Sequence, residues 1–244
     1  METASQALSL LLADGAALTI EEMDEALQAR GLPAMTQHSV ELLLDGIPAC
    51  VPIVGDRWVD VRAVVQGRVF THHLSAQEQA SDILLVDPDL VAVDGLAIAD
   101  MLRIGHDLVV SLDASLDAEV LAGAELLTGD IDAAWLLPEG TLAGFGASAA
   151  LAVRVLPDGM AELAPATAFD VEASARAVAT LRAVLREHEA EAPVPTDALV
   201  LAACVADPAV FRDPVAPVAE LLAQAGIARR GAFVAFEGFD FEPW

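Results

Sequence analysis

Lysine and tyrosine are missing from this sequence altogether, so its twelve Lys-or-Arg positions are all arginines. Without lysine, the phosphate-binding loop GxxxxGKS/T and Schiff-base catalysis are excluded. The patterns GxGxxG and GxSxG are also absent, which removes the usual sequence evidence for a dinucleotide-binding fold or a serine hydrolase. The sequence therefore predicts no cofactor and identifies no catalytic residues.

Cysteine is scarce, and the positions of the two cysteines do not indicate a metal-binding site. Cys50 and Cys204 are far apart and form no CxxC pair. This spacing favours two buried free thiols over a disulfide or a metal-binding pair. Carboxylates are so abundant that close pairs of them carry little information, and no metal site is predicted.

Long hydrophobic runs are missing as well. No apolar segment reaches the length that spans a bilayer, and no basic region precedes a hydrophobic one at the N-terminus. A cytoplasmic protein without membrane contact is therefore the expectation. At 244 residues with 55% hydrophobic residues, the chain is long enough and apolar enough for two or three small folded domains.

Positive charge is in short supply, with 38 acidic residues against 12 basic ones and a net charge of −26. The excess is negative in every part: −7 in residues 1–66, −13 in 67–166 and −6 in 167–244. Such a surface repels a nucleic-acid duplex at long range. One interpretation of the acidity is solubility, or adaptation to a salty interior together with a lysine-poor composition. The other is a surface that meets a basic protein partner or mimics nucleic acid, and both interpretations stay open.

Residues 1–66 show the clearest pattern, three helices followed by a hairpin. Residues 4–13 have helical periodicity, and Thr19 to Glu22 form a capping box before a second helix. Thr36 precedes a third helix, whose apolar face consists of Val40, Leu43, Leu44 and Ile47. Two short extended runs flank Gly55 and Asp56. This order predicts a winged helix-turn-helix domain.

The rest of the chain predicts two further parts and an α+β fold class overall. Residues 67–166 contain short apolar runs separated by Asp, Gly and Pro, which indicate a β-rich small barrel or sandwich. Residues 167–244 return to a helical period and end with a candidate hairpin. Three helices and a hairpin would make this helical part a second, degenerate winged helix.

A winged helix usually presents its third helix to a partner. The expected outward positions on that helix are Gln37, His38, Glu41 and Asp45. Two carboxylates there are a poor match for phosphates, which favours a protein-binding module over a reader of DNA.

The nearby positive groups are limited to three arginines. Arg57, Arg62 and Arg68 lie on or after the wing and are the candidates for contacting a nucleic-acid backbone. The alternative is that they form surface ion pairs with Asp56 and Asp60.

His72 and His73 are the one histidine cluster. They fall in a predicted strand, where consecutive side chains point to opposite faces and cannot readily bind one metal ion. We expect one ring inside with a hydrogen bond and the other outside. An enzyme with its site near this pair is the third functional hypothesis.

The last nine residues alternate aromatic and acidic side chains. Phe239, Phe241 and Trp244 are the candidates for docking into a basic-rimmed apolar groove on a partner. The alternatives are that this segment packs back onto the protein or that it continues into a longer chain.

The second helix from Thr19, the third helix from Thr36 and the Gly55–Val59 wing resemble the winged-helix domain of the delta subunit of bacterial RNA polymerase. The resemblance covers about the first quarter of the chain, and the acidic tail of such subunits is missing. It implies a transcription-associated role that faces the polymerase.

These observations lead to one main hypothesis and one alternative to it, with the enzyme hypothesis in third place. The main hypothesis is a non-enzymatic interaction or regulatory protein that binds a protein partner with a basic surface. The alternative is a DNA-binding winged-helix transcriptional regulator that uses Arg57, Arg62 and Arg68.

Overall fold

The computed structural model describes residues 3–47, 49–85, 101–104, 107–110, 134–136, 140, 142–143, 150–156, 161–166, 168–188 and 193–239. Within these ranges the fold is mixed α and β, which agrees with the predicted class at that coarse level. The described strands form one five-stranded sheet, two three-stranded sheets and one two-stranded pair.

Residues 3–60 form three helices and a three-stranded antiparallel sheet, which we call the N-terminal unit. Its elements are α1 Ala4–Leu12, β1 Leu18–Thr19, α2 Ile20–Ala29, α3 Gln37–Asp45, β2 Cys50–Ile53 and β3 Arg57–Asp60. The strand order is β1-β3-β2. The three predicted helices and the hairpin are thus confirmed as elements.

Local capping explains where these helices begin. The Thr19 amide donates to Glu22 Oε2 at 2.8 Å, and the Glu22 amide donates to Thr19 Oγ1 at 3.2 Å, which completes the predicted capping box. Thr36 Oγ1 accepts from the Ser39 amide at the start of α3. A separate apolar cluster, including Leu8, Leu27 and Leu44, joins the three helices.

The hairpin turn between β2 and β3 needs unusual backbone angles. Gly55 and Asp56 both have positive φ values, +91° and +54°. The ring of His188 lies directly against Gly55, where an added Cβ would be 2.5 Å from His188 Cε1. The positive φ favours glycine at this position, and the turn lies against His188, the C-terminal cap of a helix much later in the chain.

The described part of the middle segment consists mainly of strands. Its elements are α4 Val61–Val65, β4 Val69–His73, α5 Ala76–Ser81, β5 Ile83–Leu85, β6 Met101–Ile104, β7 Asp107–Val110, β8 Ala134–Leu136, β9 Ala150–Val155 and β10 Ala161–Ala166. The larger sheet has the order β4-β9-β10-β6-β7, in which only β10 and β6 run parallel among the described pairs. The predicted barrel or sandwich closure stays a prediction.

Residues 171–236 form the C-terminal unit, which repeats the element order of the N-terminal unit. Its elements are α6 Val171–Glu187, β11 Val194–Pro195, α7 Thr196–Ala206, α8 Val218–Gln224, β12 Ile227–Arg230 and β13 Phe233–Phe236. The strands are antiparallel in the order β11-β13-β12, the same connectivity as β1-β3-β2. The predicted three helices and terminal hairpin are therefore present.

One large apolar cluster connects all three predicted parts of the chain. It contains Val59 from the N-terminal hairpin, Phe70 and Leu151 from the larger sheet, and Leu185 and Val234 from the C-terminal unit. The predicted domain boundaries at 66/67 and 166/167 therefore do not coincide with a gap in the packing of the described residues.

Arg68 lies at the centre of this junction and is only 3% exposed. Its Nε donates to the Val64 carbonyl at 3.2 Å, and Nη2 donates to the Cys204 carbonyl at 2.7 Å. Nη1 donates to the carbonyls of Pro208 (3.2 Å) and Val210. The prediction that Arg68 contacts a ligand from the surface is therefore wrong, because its guanidinium is enclosed by backbone carbonyls.

Arg68 donates hydrogen bonds to backbone carbonyls at the ends of two helices, where these carbonyls have no partner within the helix. Val64 lies in the last turn of α4 and Cys204 in the last turn of α7, where carbonyls have no intrahelical donor and the helix dipole favours a cation. Burial lowers the pKa of Arg68 from its ordinary value, but that value is so high that the side chain stays charged.

Replacing Arg68 with methionine should lower the free energy of unfolding by at least about 3 kcal/mol, because several buried carbonyls lose their donor. Lysine should rescue only part of this loss, since one ammonium group cannot reproduce the planar fork. Urea unfolding measures both effects.

The matched control is Arg154→Met at an exposed arginine on β9, which should change the free energy of unfolding by less than about 0.5 kcal/mol. Equal stability of Arg68→Met and the wild type would contradict the role assigned to this residue.

Candidate interaction surface

The residues predicted from the sequence to face a partner lie together on the exposed side of α3. Gln37, His38 and Asp45 are exposed and Glu41 is partly exposed. Gln37 Nε2 donates to Glu41 Oε1 at 2.9 Å, and His38 Nδ1 lies 3.9 Å from Glu41 Oε2. The outward placement of the four residues is confirmed, whereas their role in binding stays a prediction.

Sequence reasoning missed Leu42, which is 58% exposed on the same helix. It lies four residues after His38 and three before Asp45, so the three side chains share one side of the helix. The signal was present in the run Leu42-Leu43-Leu44, because three consecutive helical residues cover about 200° and cannot all face the core. We call Gln37, His38, Glu41, Leu42 and Asp45 the α3 face.

The α3 face presents one exposed apolar side chain on an acidic surface. The helix itself carries two carboxylates and neither arginine nor lysine. Across residues 3–60 there are nine carboxylates against Arg30 and Arg57. An apolar anchor with this surround is complementary to a segment that offers an apolar side chain flanked by cations.

The arginines near the wing are held by contacts within the N-terminal unit. Arg57 Nη1 donates to the Ala17 carbonyl at 2.7 Å, and Nη2 lies 3.6 Å from Glu22 Oε1. The expected alternative partners were Asp56 and Asp60, so the ion pair forms with a different carboxylate.

Arg62 is exposed in the last turn of α4. The nearby carboxylate of Asp60 caps that helix by accepting from the backbone amides of Arg62 (2.9 Å) and Ala63 (3.3 Å).

The hairpin of the C-terminal unit carries the opposite charge. Arg229 and Arg230 end β12 and are exposed, and Phe233, the first residue of β13, is 48% exposed. Arg230 and Phe233 are directly opposite in the antiparallel register. We call Arg229, Arg230 and Phe233 the arginine tip, which the sequence analysis did not identify.

Of the three candidate residues in the C-terminal tail, Phe239 lies within the described part of the chain. Phe239 is half-buried, and its amide donates to the Phe236 carbonyl at 3.1 Å. Phe241 and Trp244 lie outside the described residues.

The two adjacent histidines of β4 point to opposite sides of the sheet, as predicted. His72 is buried and its Nε2 lies 2.8 Å from Glu78 Oε1. The exposed His73 reaches across to α8, with Nε2 2.8 Å from Glu220 Oε1. The pairs therefore attach β4 to two different elements, and the rings do not converge on one site.

Two observations on the described residues bear on the enzyme hypothesis. The described residues contain no group of three or more His, Cys, Asp or Glu side chains that could hold a metal ion. Cys50 and Cys204 are free and buried, as predicted. Burial raises the pKa of each thiol to about 11, so both are protonated near neutral pH and are poor nucleophiles.

Glu78 has two roles within a short stretch. It completes the capping box of α5 by accepting from the Ser75 amide at 2.8 Å, and it also bonds to His72. Burial raises the pKa of Glu78, but the hydrogen bond and charge of His72 and the Ser75 amide outweigh it, so the pKa lies below its ordinary value of 4.5. The carboxylate is therefore the form that the fold stabilises.

Glu78→Gln should lower the free energy of unfolding by about 1–2 kcal/mol near pH 7. Because the folded pKa is depressed, the contribution of Glu78 is present above pH 4.5 and is lost as pH falls through the lower folded value. The difference between wild type and variant should thus shrink on acidification, as measured by urea unfolding at a series of pH values.

The exposed Glu25→Gln variant is the control and should show a much smaller difference from wild type throughout. If the difference in the free energy of unfolding between the wild type and Glu78→Gln grows on acidification, the conclusion that the fold stabilises the carboxylate form is contradicted.

None of the described helices combines the length and the apolar character needed to cross a membrane. Comparisons with protein-family models, curated proteins and solved structures found no match to this chain.

Proposed function

We propose that this chain is a non-enzymatic interaction protein that binds a basic segment of another polypeptide on its α3 face. The observation that carries the proposal is the exposed Leu42, which shares one side of α3 with Asp45 on a helix that carries two carboxylates and neither arginine nor lysine. A partner that places one apolar side chain on Leu42 and arginines or lysines around it would satisfy both features.

The N-terminal unit is, in this proposal, a winged helix used for protein binding. Supporting it are the order helix, strand, helix, helix, strand, strand and the antiparallel arrangement β1-β3-β2. The same order in the C-terminal unit supports a second winged helix. The resemblance to the polymerase delta subunit adds a transcription-associated, regulatory role to the proposal.

The expected affinity is modest. Burying a leucine side chain contributes about 1.5–3 kcal/mol, and an exposed ion pair adds about 0–1 kcal/mol. Regulatory contacts are commonly of this size, and the contribution of charge should fall with added salt.

The alternative, a DNA-binding regulator, has lost one of its three predicted contacts because Arg68 is buried. Arg57 is held by Ala17 and Glu22, and two carboxylates of α3 would face the phosphates. Each missing cation reduces the favourable release of counterions from DNA.

A synthetic peptide with arginines flanking one phenylalanine should bind the wild type, and Leu42→Ala should weaken this binding about tenfold, which corresponds to about 1.4 kcal/mol. The double variant Glu41→Gln with Asp45→Asn should weaken it similarly at low salt, because it removes the attraction to the arginines. Isothermal titration calorimetry measures each affinity.

Two variants control for non-specific attraction to an acidic protein. Leu10→Ala removes a leucine that is 59% exposed on α1, and Glu21→Gln with Glu25→Gln removes the same charge from α2. Both should leave the peptide affinity within about twofold, a difference of about 0.4 kcal/mol. Equal weakening by α3 and control variants would contradict the proposed surface. Tight duplex binding in a gel shift that falls steeply with salt would instead favour the DNA-binding alternative.

A further inference from the structure

One long helix of this acidic chain presents a positive face to solvent. The helix α6 is 17 residues long, and its buried side includes Ala177, Leu181 and Leu185. The middle of its solvent side consists of exposed alanines and arginines, which we call the α6 face: Ala175, Arg176, Ala179, Arg182, Ala183 and Arg186. Residues 173–186 contain these three arginines and no carboxylate. Three of the chain's twelve basic residues therefore lie on one helix face.

The three arginines of the α6 face are available to a partner. Within the part of the chain that the structure describes, their guanidinium groups take part in no hydrogen bond or ion pair. Arg57 and Arg212 differ, because each donates to a distant backbone carbonyl, that of Ala17 at 2.7 Å and that of Gln66 at 2.8 Å. A guanidinium without a partner in its own chain is suited to pairing with carboxylates of another molecule.

Helical periodicity determines the shape of the α6 face. At about 100° per residue, Arg176 and Arg182 lie about 60° to either side of Ala179. Ala175 and Ala183 are each four residues from Ala179 and continue the same line along the helix. Because alanine has no atoms beyond Cβ, the face is a shallow trough beside longer arginine side chains. Such a surface is complementary to a protruding apolar side chain that has carboxylates next to it.

Among the described residues, one exposed surface has this chemistry. The exposed large hydrophobic side chains are Leu10, Leu42, Val171 and Phe233. The helix of Leu10 has no charged residue, Val171 begins α6 itself, and Phe233 lies opposite an arginine in the hairpin. Leu42 shares one side of α3 with Asp45. The α3 face is therefore the surface that matches the α6 face.

We propose that the α6 face of one molecule binds the α3 face of a second molecule of the same chain. Glu41 and Asp45 are four residues apart and span about 6 Å along α3. Arg182 and Arg186 have the same spacing on α6, so the two pairs can align. Leu42 would then pack on the alanines of the trough. The inference rests on the proposed function, since it names the basic segment that the α3 face binds.

This contact joins two different surfaces and is therefore heterologous. Such a contact closes into a ring when the rotation between subunits allows it and otherwise continues as an open chain. Each molecule carries a net charge of −26, which opposes association when ions are scarce. At about 0.15 M salt the Debye length is about 8 Å, so the contacting groups are felt while the charge of the remote parts is screened.

A charge-exchange experiment tests the contact in the full chain. Variant A carries Glu41→Arg and Asp45→Arg, and variant B carries Arg182→Glu and Arg186→Glu. In variant A both surfaces are positive, and in variant B both are negative, so neither variant can form the contact with itself. In an equimolar mixture the α6 face of A meets the α3 face of B, and both of these are unchanged from the wild type.

Sedimentation velocity over a concentration series at about 0.15 M salt measures the outcome. The wild type should associate with rising concentration, A and B alone should each remain monomeric, and the mixture should associate again. Circular dichroism should show that both variants keep the wild-type helical content, because the substituted positions are exposed or partly exposed.

Two uncharged substitutions test the apolar part of the contact. Leu42→Ala should weaken wild-type association about tenfold, whereas Leu10→Ala, at an equally exposed leucine on α1, should leave it within about twofold. Ala179→Gln fills the trough without changing the charge and should also weaken association. Its matched control is Ala223→Gln on the exposed side of α8, which should leave association unchanged.

A monomeric wild type, undiminished association of A or B alone, or a mixture that stays monomeric would each overturn the proposal. A monomeric wild type whose α6 face binds a peptide with glutamates flanking one leucine would assign that face to a different polypeptide and overturn the choice of a second copy.

The outcome is separable from the proposed function, because variant B keeps its α3 face and should bind the arginine–phenylalanine peptide. Binding of that peptide by a strictly monomeric wild type would overturn only the self-association. Absence of both would overturn both.

Discussion

The arrangement of the described residues depends on the hydrogen bonds that the Arg68 guanidinium donates to backbone carbonyls. The guanidinium satisfies carbonyls at the ends of α4 and α7 and in the turn up to Val210. These groups come from segments that are more than 130 residues apart. A buried cation costs several kcal/mol in desolvation, and only a complete set of acceptors offsets that cost. The same set therefore specifies how the two segments meet.

The neighbouring contacts repeat this connection along β4. The Val69 amide donates to the Phe211 carbonyl at 2.6 Å, and the Thr71 hydroxyl donates to the Val215 carbonyl. His73 then reaches Glu220 on α8. These bonds hold the C-terminal unit against the first strand after the N-terminal unit.

The elements that local chemistry determines could be predicted from the sequence, and the contacts that distant residues determine could not. The capping box at Thr19 and the alternation of His72 and His73 depend only on neighbours in the chain. The burial of Arg68 depends on Cys204 and Val210, which no local pattern connects to it. Leu42 was missed for a different reason: it is the first of three consecutive leucines, and it was assigned neither to the apolar face of the helix nor to its outward positions.

Native-state hydrogen exchange of the Val69 amide tests most directly whether the Arg68 junction unites the two ends of the chain. This amide donates to Phe211 beside the guanidinium. The account predicts that it exchanges with the same opening free energy as the core amides of α7, within about 0.5 kcal/mol. An opening free energy lower by several kcal/mol would mean that the two segments separate while α7 stays folded, and would contradict the account.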